Sequence, residues 1–127
     1  MVLTTIVCML ALLEFMVLGM LVGQARGRFE VQAPATSGHE IFDRYFRVHY
    51  NTLEQLAVFI PALFAFGWFV SDLWAAVVGV VFVVGRALYA RQYIADPASR
   101  GPGMLLTFGA NVVLVLGTLI ALVLMLF

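Results

Sequence analysis

The chain has 127 residues, 64% of them hydrophobic and only 11% charged, with a formal net charge of zero. A soluble domain carries roughly 25% charged residues, so this chain cannot cover an apolar core with a polar skin; the composition predicts an integral membrane protein and excludes a basic nucleic-acid-binding domain. The single Cys8 rules out an internal disulfide, and His39 and His49 lack the spaced partners of a metal site, so no metal is expected.

The first apolar run covers about residues 2–25 and is interrupted only by Glu14. At ~1.5 Å per residue it is about 36 Å long, enough to cross a ~30 Å hydrocarbon core with some tilt. It has no basic leader and exceeds the usual apolar length of a signal peptide, so it is read as a span. A long polar connection, 26–43, carries Arg26 and Arg28 and the turn-forming stretch Ala33-Pro34-Ala35-Thr36-Ser37-Gly38. The second run covers about 44–70 and contains Pro61, which predicts a kink. Only Ser71 and Asp72 separate it from the third run, 73–93, so this pair must be a tight antiparallel hairpin. A short connection, 94–102, holds Pro97 and Arg100, and the fourth run covers 103–127. The expected fold is an all-α four-transmembrane-helix bundle forming one membrane domain over 1–127.

There are seven arginines and no lysine. Four spans put connections 26–43 and 94–102 on one side, and Arg26, Arg28, Arg44, Arg47, Arg86, Arg91 and Arg100 all lie in or near them. The positive-inside rule then places both connections in the cytoplasm and both termini outside; the expected setting is a bacterial inner membrane. Setting topology is a sufficient role for Arg28 and Arg91.

The other arginines share helix faces with further polar groups. Arg47, Asn51 and Glu54 stand at i, i+4 and i+7 of the second helix, and Arg86, Tyr89 and Tyr93 at i, i+3 and i+7 of the third. Glu54 and Arg86 lie roughly 10–15 Å deep. An unpaired ion near a helix centre costs about 2.5–3.5 kcal/mol, so a buried Arg86–Glu54 bridge is expected. For the same reason Glu14 is expected to be hydrogen-bonded inside the bundle, with Asn111 as its candidate partner. Several guanidiniums, an amide, a carboxylate and two phenols make a pocket suited to a small peptide-like zwitterion with two carboxylates and one amine, a pattern that glutathione has.

The segment Arg47-Val-His-Tyr-Asn51-Thr-Leu-Glu54 resembles the R-x-x-x-N-x-x-E signature of the MAPEG family, the membrane-associated proteins of eicosanoid and glutathione metabolism. Arg86-Ala-Leu-Tyr89-Ala-Arg-Gln-Tyr93, with Arg100 seven residues later, is similar to the third-helix end of that family. The resemblance implies a homotrimer with sites between subunits. It implies that Arg26, Arg47, Asn51, Glu54, Tyr89 and Tyr93 bind glutathione as co-substrate and that Arg100 is catalytic, its guanidinium stabilising the thiolate. The implied reaction is conjugation of glutathione to an apolar electrophile, as in detoxification, or reduction of a lipid hydroperoxide with it, in a transferase or peroxidase; the family also includes non-catalytic lipid-binding members. A free thiol has a pKa near 8.5; lowering it by about two units takes ~2.7 kcal/mol of preferential thiolate stabilisation, within reach of one well-aimed guanidinium. The chain departs from the family pattern at Gly27, where a second arginine is usual, at Gln55 in place of a tyrosine, and at His49 in place of a glutamine. Glu14 lies outside the family pattern; a mid-span glutamate in a small four-span chain is also the mark of proton-coupled multidrug transporters, the competing reading.

Overall fold

The computed structural model describes residues 1–127 as four long helices and one short turn of 3₁₀ helix. α1 covers Val2–Phe29, α2 Glu40–Phe69, α3 Asp72–Ala95 and α4 Gly101–Leu124, with the 3₁₀ turn at Pro97–Ser99. All four are long and apolar enough to cross a membrane.

The helices overrun the apolar segments at the arginine end, for local reasons. α1 continues through Arg26 and Arg28, cations favoured in a last turn by the helix dipole, and stops where Glu30 turns left-handed at φ 56°. α2 starts at Glu40 rather than near 44 because the ring of His39 accepts the Ile41 N–H at 3.1 Å and Glu40 and Asp43 sit in the first turn. The connection expected over 26–43 is thereby reduced to 30–39. Ser71 caps α3 by accepting the Trp74 N–H. Asp72 ties this hairpin to the start of α1: its carboxylate accepts the Thr4 N–H at 2.9 Å, the Thr4 hydroxyl at 2.6 Å and the Leu3 N–H at 3.3 Å. α4 opens at Gly101 with Pro102 in its first turn, where a missing N–H costs nothing.

α2 and α3 form the middle of the bundle; α1 packs on both from one side and α4 from the other. Between them lies a core of Val7, Ala11, Leu56, Leu63, Ala75 and Leu114 around Phe59 and Phe82, whose rings stack at 3.8 Å. In hydrocarbon surroundings burial of such residues yields little transfer energy, so close packing carries the association. Glycines at the contacts permit it. A Cβ at Gly79 would strike the Val7 side chain at 2.5 Å, and one at Gly103 would fall inside the backbone of Tyr89. The outward faces of α1 and α4 are apolar, with Met16, Met20, Leu105, Phe108 and Leu119 exposed, as a lipid-facing or subunit-facing surface requires.

Candidate functional site

At the arginine end the seams of α2 and α3 join into one hydrogen-bonded cluster. Asn51 Nδ2 donates to Glu54 Oε2 at 3.1 Å, and Arg47 Nη1 approaches Glu54 Oε1 at 3.5 Å. From α3, Arg86 Nη2 donates to Asn51 Oδ1 at 3.0 Å and to the Thr52 hydroxyl at 2.8 Å. The Thr52 hydroxyl donates onward to the Val48 carbonyl. The Arg86 guanidinium also lies over the Tyr89 ring, 4.2 Å from its centroid. Arg86 is 1% exposed, so its charge depends wholly on these partners.

The expected direct Arg86–Glu54 bridge does not form. Asn51 stands between the two, its carbonyl oxygen facing Arg86 and its amino group facing Glu54. Glu54 lies on the outward edge of the seam, with a side chain 44% exposed, whereas Arg86 points inward to Thr52. Thr52 is a member of the cluster that the polar seams alone do not reveal. Its one signal in the sequence is a place on the stripe Val48, Thr52, Leu56, next to the polar seam and buried in the structure.

Glu14 is likewise not bonded to Asn111. α1 and α4 lie on opposite sides of the α2–α3 pair, and Asn111 Nδ2 donates instead to Gln55 Oε1 at 3.0 Å. Glu14 Oε1 and Arg86 Nε are both buried without a hydrogen-bond partner. Arg86 is thus a buried cation held by Asn51 and Thr52 and joined to Glu54 only through Asn51.

Tyr89 and Tyr93 stack with centroids 5.6 Å apart. Tyr89 is only 3% exposed and packs among Leu18, Val48 and Ala90, so it forms the floor of the site more than its wall. The Arg86 guanidinium lies over its ring. Arg100 is exposed at the N-cap of α4, and its one intrachain side-chain hydrogen bond runs from Nη1 to the Pro97 carbonyl at 2.9 Å. The rest of its guanidinium has no intrachain hydrogen bond.

Arg26 does not join this cluster within the chain. Its Nη1 donates to the Ala35 carbonyl at 2.6 Å and to that of Val31 at 3.5 Å, and it covers the Phe42 ring, which organises the α1–α2 connection. Arg44 instead bridges two helices, with Nη1 donating to the carbonyls of Ile94 and Ala95 and Nη2 pairing with Glu40 at 2.6 Å. It therefore closes the C-terminal end of α3, just before the segment that carries Arg100. His49 stacks on Phe15 of α1 at 4.4 Å, a packing role. Gln92 Oε1 accepts the Gly103 N–H, joining the end of α3 to the start of α4.

Beside the cluster a cavity of about 500 Å³ opens between α2 and α4. Asn51, Gln55 and Arg86 supply its polar side, and Met104, Leu105 and Phe108 its apolar side.

Four apolar helices with a connected arginine, amide and carboxylate cluster at one end define an all-α multi-pass membrane protein with a polar site opening toward apolar surface. The chain belongs to the MAPEG family, whose model matches residues 4–120. It is 42% identical over 112 residues to an uncharacterized protein of Synechocystis sp., a match covering 88% of this chain and 82% of that one. It is 35% identical over 95 residues to human microsomal glutathione S-transferase 2, covering 75% of this chain and 65% of the relative. Rat leukotriene C4 synthase is 33% identical over 76 residues, covering 60% of this chain and 51% of the relative. The match thus spans between half and two thirds of these two mammalian relatives. A family of membrane proteins that use glutathione is the setting in which the cluster is to be read.

Proposed function

We propose that the protein is a glutathione-dependent membrane enzyme that activates the glutathione thiol for attack on an apolar second substrate. The observation that carries this reading is the hydrogen-bonded cluster of Arg47, Asn51, Glu54 and Arg86, with the Arg86 guanidinium over the Tyr89 ring. The two ends of that cluster offer complementary chemistry. Arg47 and Asn51 suit a carboxylate, Glu54 suits an ammonium, and Tyr93, partly exposed above Tyr89, supplies a ring surface and a donor. Arg100, with most of its guanidinium free of intrachain bonds, stabilises the thiolate.

In conjugation the thiolate sulfur bonds to an electrophilic carbon while a leaving group departs with its electron pair or a strained ring opens. In peroxide reduction two glutathiones lose two electrons and two protons in forming a disulfide, and the hydroperoxide becomes an alcohol and water. Both outcomes suit detoxification of apolar compounds, and the apolar side of the α2–α4 cavity suits a lipid-like second substrate.

Side chains of Arg47 and Glu54 are 48% and 44% exposed in the single chain. Ionised groups at this depth are costly against lipid, which supports a homotrimer in which a neighbouring subunit covers the seam. In that assembly Arg26 serves a neighbour's site. The arginine end faces the cytoplasm of a bacterial inner membrane by the positive-inside rule, and residues 1–127 act as one membrane domain.

The test is thiolate absorbance on adding glutathione to the protein purified in detergent. Thiolate forms above the thiol's pKa, so the signal is expected to reach half its maximum near pH ~6.5, about two units below a free thiol, and to return toward ~8.5 in Arg100→Ala. Turnover by that variant is expected to fall about 10²–10³-fold. Glutathione binding without thiolate in the unaltered protein would indicate a non-catalytic scaffold, and absence of binding would remove the reading.

A further inference from the structure

One acid inside the bundle has no partner. Glu14 falls in the stripe of α1 that turns toward the other helices, between the buried Ala11 and Leu18. α1 and α3 run parallel: Thr4 and Asp72, at their starts, are hydrogen-bonded, and both helices finish at the arginine end. Further along, the side chain of Val7 lies against Gly79. A step of seven residues returns a helix to nearly the same face, with a drift of only ~20°. From Val7 and Gly79 that step leads to Glu14 and Arg86. The next leads to Leu21 and Tyr93, which border one cluster. Glu14 therefore comes level with Arg86 and faces it across the α1–α3 contact.

The two side chains leave complementary atoms open. Arg86 uses Nη2 for Asn51 and Thr52, while its Nε–H is buried and unpartnered, as is Glu14 Oε1. Neither an ion pair nor a direct hydrogen bond joins the two residues. Nε can only donate and a carboxylate oxygen can only accept. One water, accepting from Nε and donating to Oε1, satisfies both with charge-assisted hydrogen bonds. Thr52 cannot take its place, because its hydroxyl hydrogen is committed to the Val48 carbonyl. Buried waters settle where at least two polar groups converge, and Arg86 also lines the cavity between α2 and α4, which gives water a way in from the arginine end.

We propose that a bound water joins Glu14 Oε1 to Arg86 Nε, so that α1 supplies the counter-charge of Arg86 and Glu14 is a positioning residue for the glutathione site. The effect passes along the cluster in steps. Arg86, held at both Nε and Nη2, fixes Asn51 Oδ1, and Asn51 must then turn Nδ2 to Glu54. Glu54 is the group that takes the ligand's ammonium in the proposed function. With Nε released, the guanidinium turns, Asn51 loses its fixed donor and Glu54 loses the amide that orients it. This deepens the proposed function and rests on it for the ligand; the water bridge is a property of the bundle and stands apart from it.

Nuclear magnetic resonance of the protein in detergent, with isotope-labelled arginine, tests the bridge without ligand. The Arg86 Nε–H, identified by its loss in Arg86→Lys, is expected to give a through-space cross-peak to water, separated from exchange by its sign in the rotating frame. The cross-peak is expected to persist in Glu14→Gln, which keeps an acceptor oxygen, and to vanish in Glu14→Leu. Binding of glutathione, and of its analogue lacking the amino group, tests the positioning. Glu14→Leu is expected to weaken glutathione roughly 10-fold, the worth of one hydrogen bond to a charged group, and Glu14→Gln to weaken it less; the analogue is expected to bind all three proteins alike. A missing cross-peak in the unaltered protein, a cross-peak that survives Glu14→Leu, or equal losses for glutathione and the analogue would overturn the proposal. So would glutathione binding unchanged by either substitution. If Glu14→Leu does not fold, the cross-peak of the unaltered protein and the two ligands in Glu14→Gln decide. If the unaltered protein binds neither ligand, the proposed enzyme falls and with it the positioning role, while the cross-peak still decides the bridge.

Discussion

Replacing Arg86 by methionine probes whether the buried cluster holds the bundle together. The guanidinium makes two hydrogen bonds, to Asn51 at 3.0 Å and Thr52 at 2.8 Å, and lies 4.2 Å from the centroid of Tyr89. Hydrogen bonds from a charged donor contribute about 1.5–3 kcal/mol each, and a desolvated cation over an aromatic ring contributes up to about 2 kcal/mol. Against this, methionine removes the desolvation cost of a buried ion, several kcal/mol, and fills part of the same volume. The balance is decided by what remains. Asn51 Oδ1 and the Thr52 hydroxyl lose their charged donor, and breaking a buried ionic network from one side costs about 3–5 kcal/mol. Arg86→Met is therefore expected to destabilise by about that amount. Arg86→Lys is expected to fall between the two, because one ammonium cannot reproduce a fork that serves two acceptors and stacks on a ring. Reversible unfolding in mixed detergent micelles measures all three proteins. A stability for Arg86→Met within about 0.5 kcal/mol of the parent would refute this account of the cluster.

Two further outcomes follow from particular contacts. Gly103→Ala places a methyl group inside the Tyr89 backbone, so α3 and α4 must separate; a loss of at least ~1–3 kcal/mol is expected, whereas Gly109→Ala, with open space around it, is expected to be neutral in the same unfolding assay. Arg44→Met removes the donor to the Ile94 and Ala95 carbonyls; faster amide hydrogen exchange is expected over residues 95–100, and unchanged exchange there would show that Ser99 and Asp96 suffice to hold the turn.

Much of this protein can be read from side-chain period alone. Arg47, Asn51 and Glu54 share a stripe because a helix repeats every ~3.6 residues, and the contacts among them follow once the helix is granted. The same holds for Arg86, Tyr89 and Tyr93. Helix ends are less legible: the apolar runs mark where hydrocarbon begins, while α2 starts earlier, at a cap formed by His39 that hydropathy cannot register.

The four apolar helices, the arginine end and the two polar seams are thus legible along the chain, since each depends only on composition and on neighbours a turn or two away. Which seam atoms meet depends on how the helices pack. Arg86 turns to Asn51 and Thr52 instead of Glu54, Arg26 to the carbonyls of its own connection, Asn111 to Gln55, and Glu14 to no hydrogen-bond partner at the oxygen it buries. These choices depend on the rotation and separation of helices about their axes, which close approaches at Gly79 and Gly103 set, and no periodicity within a single helix encodes how it is turned against the next.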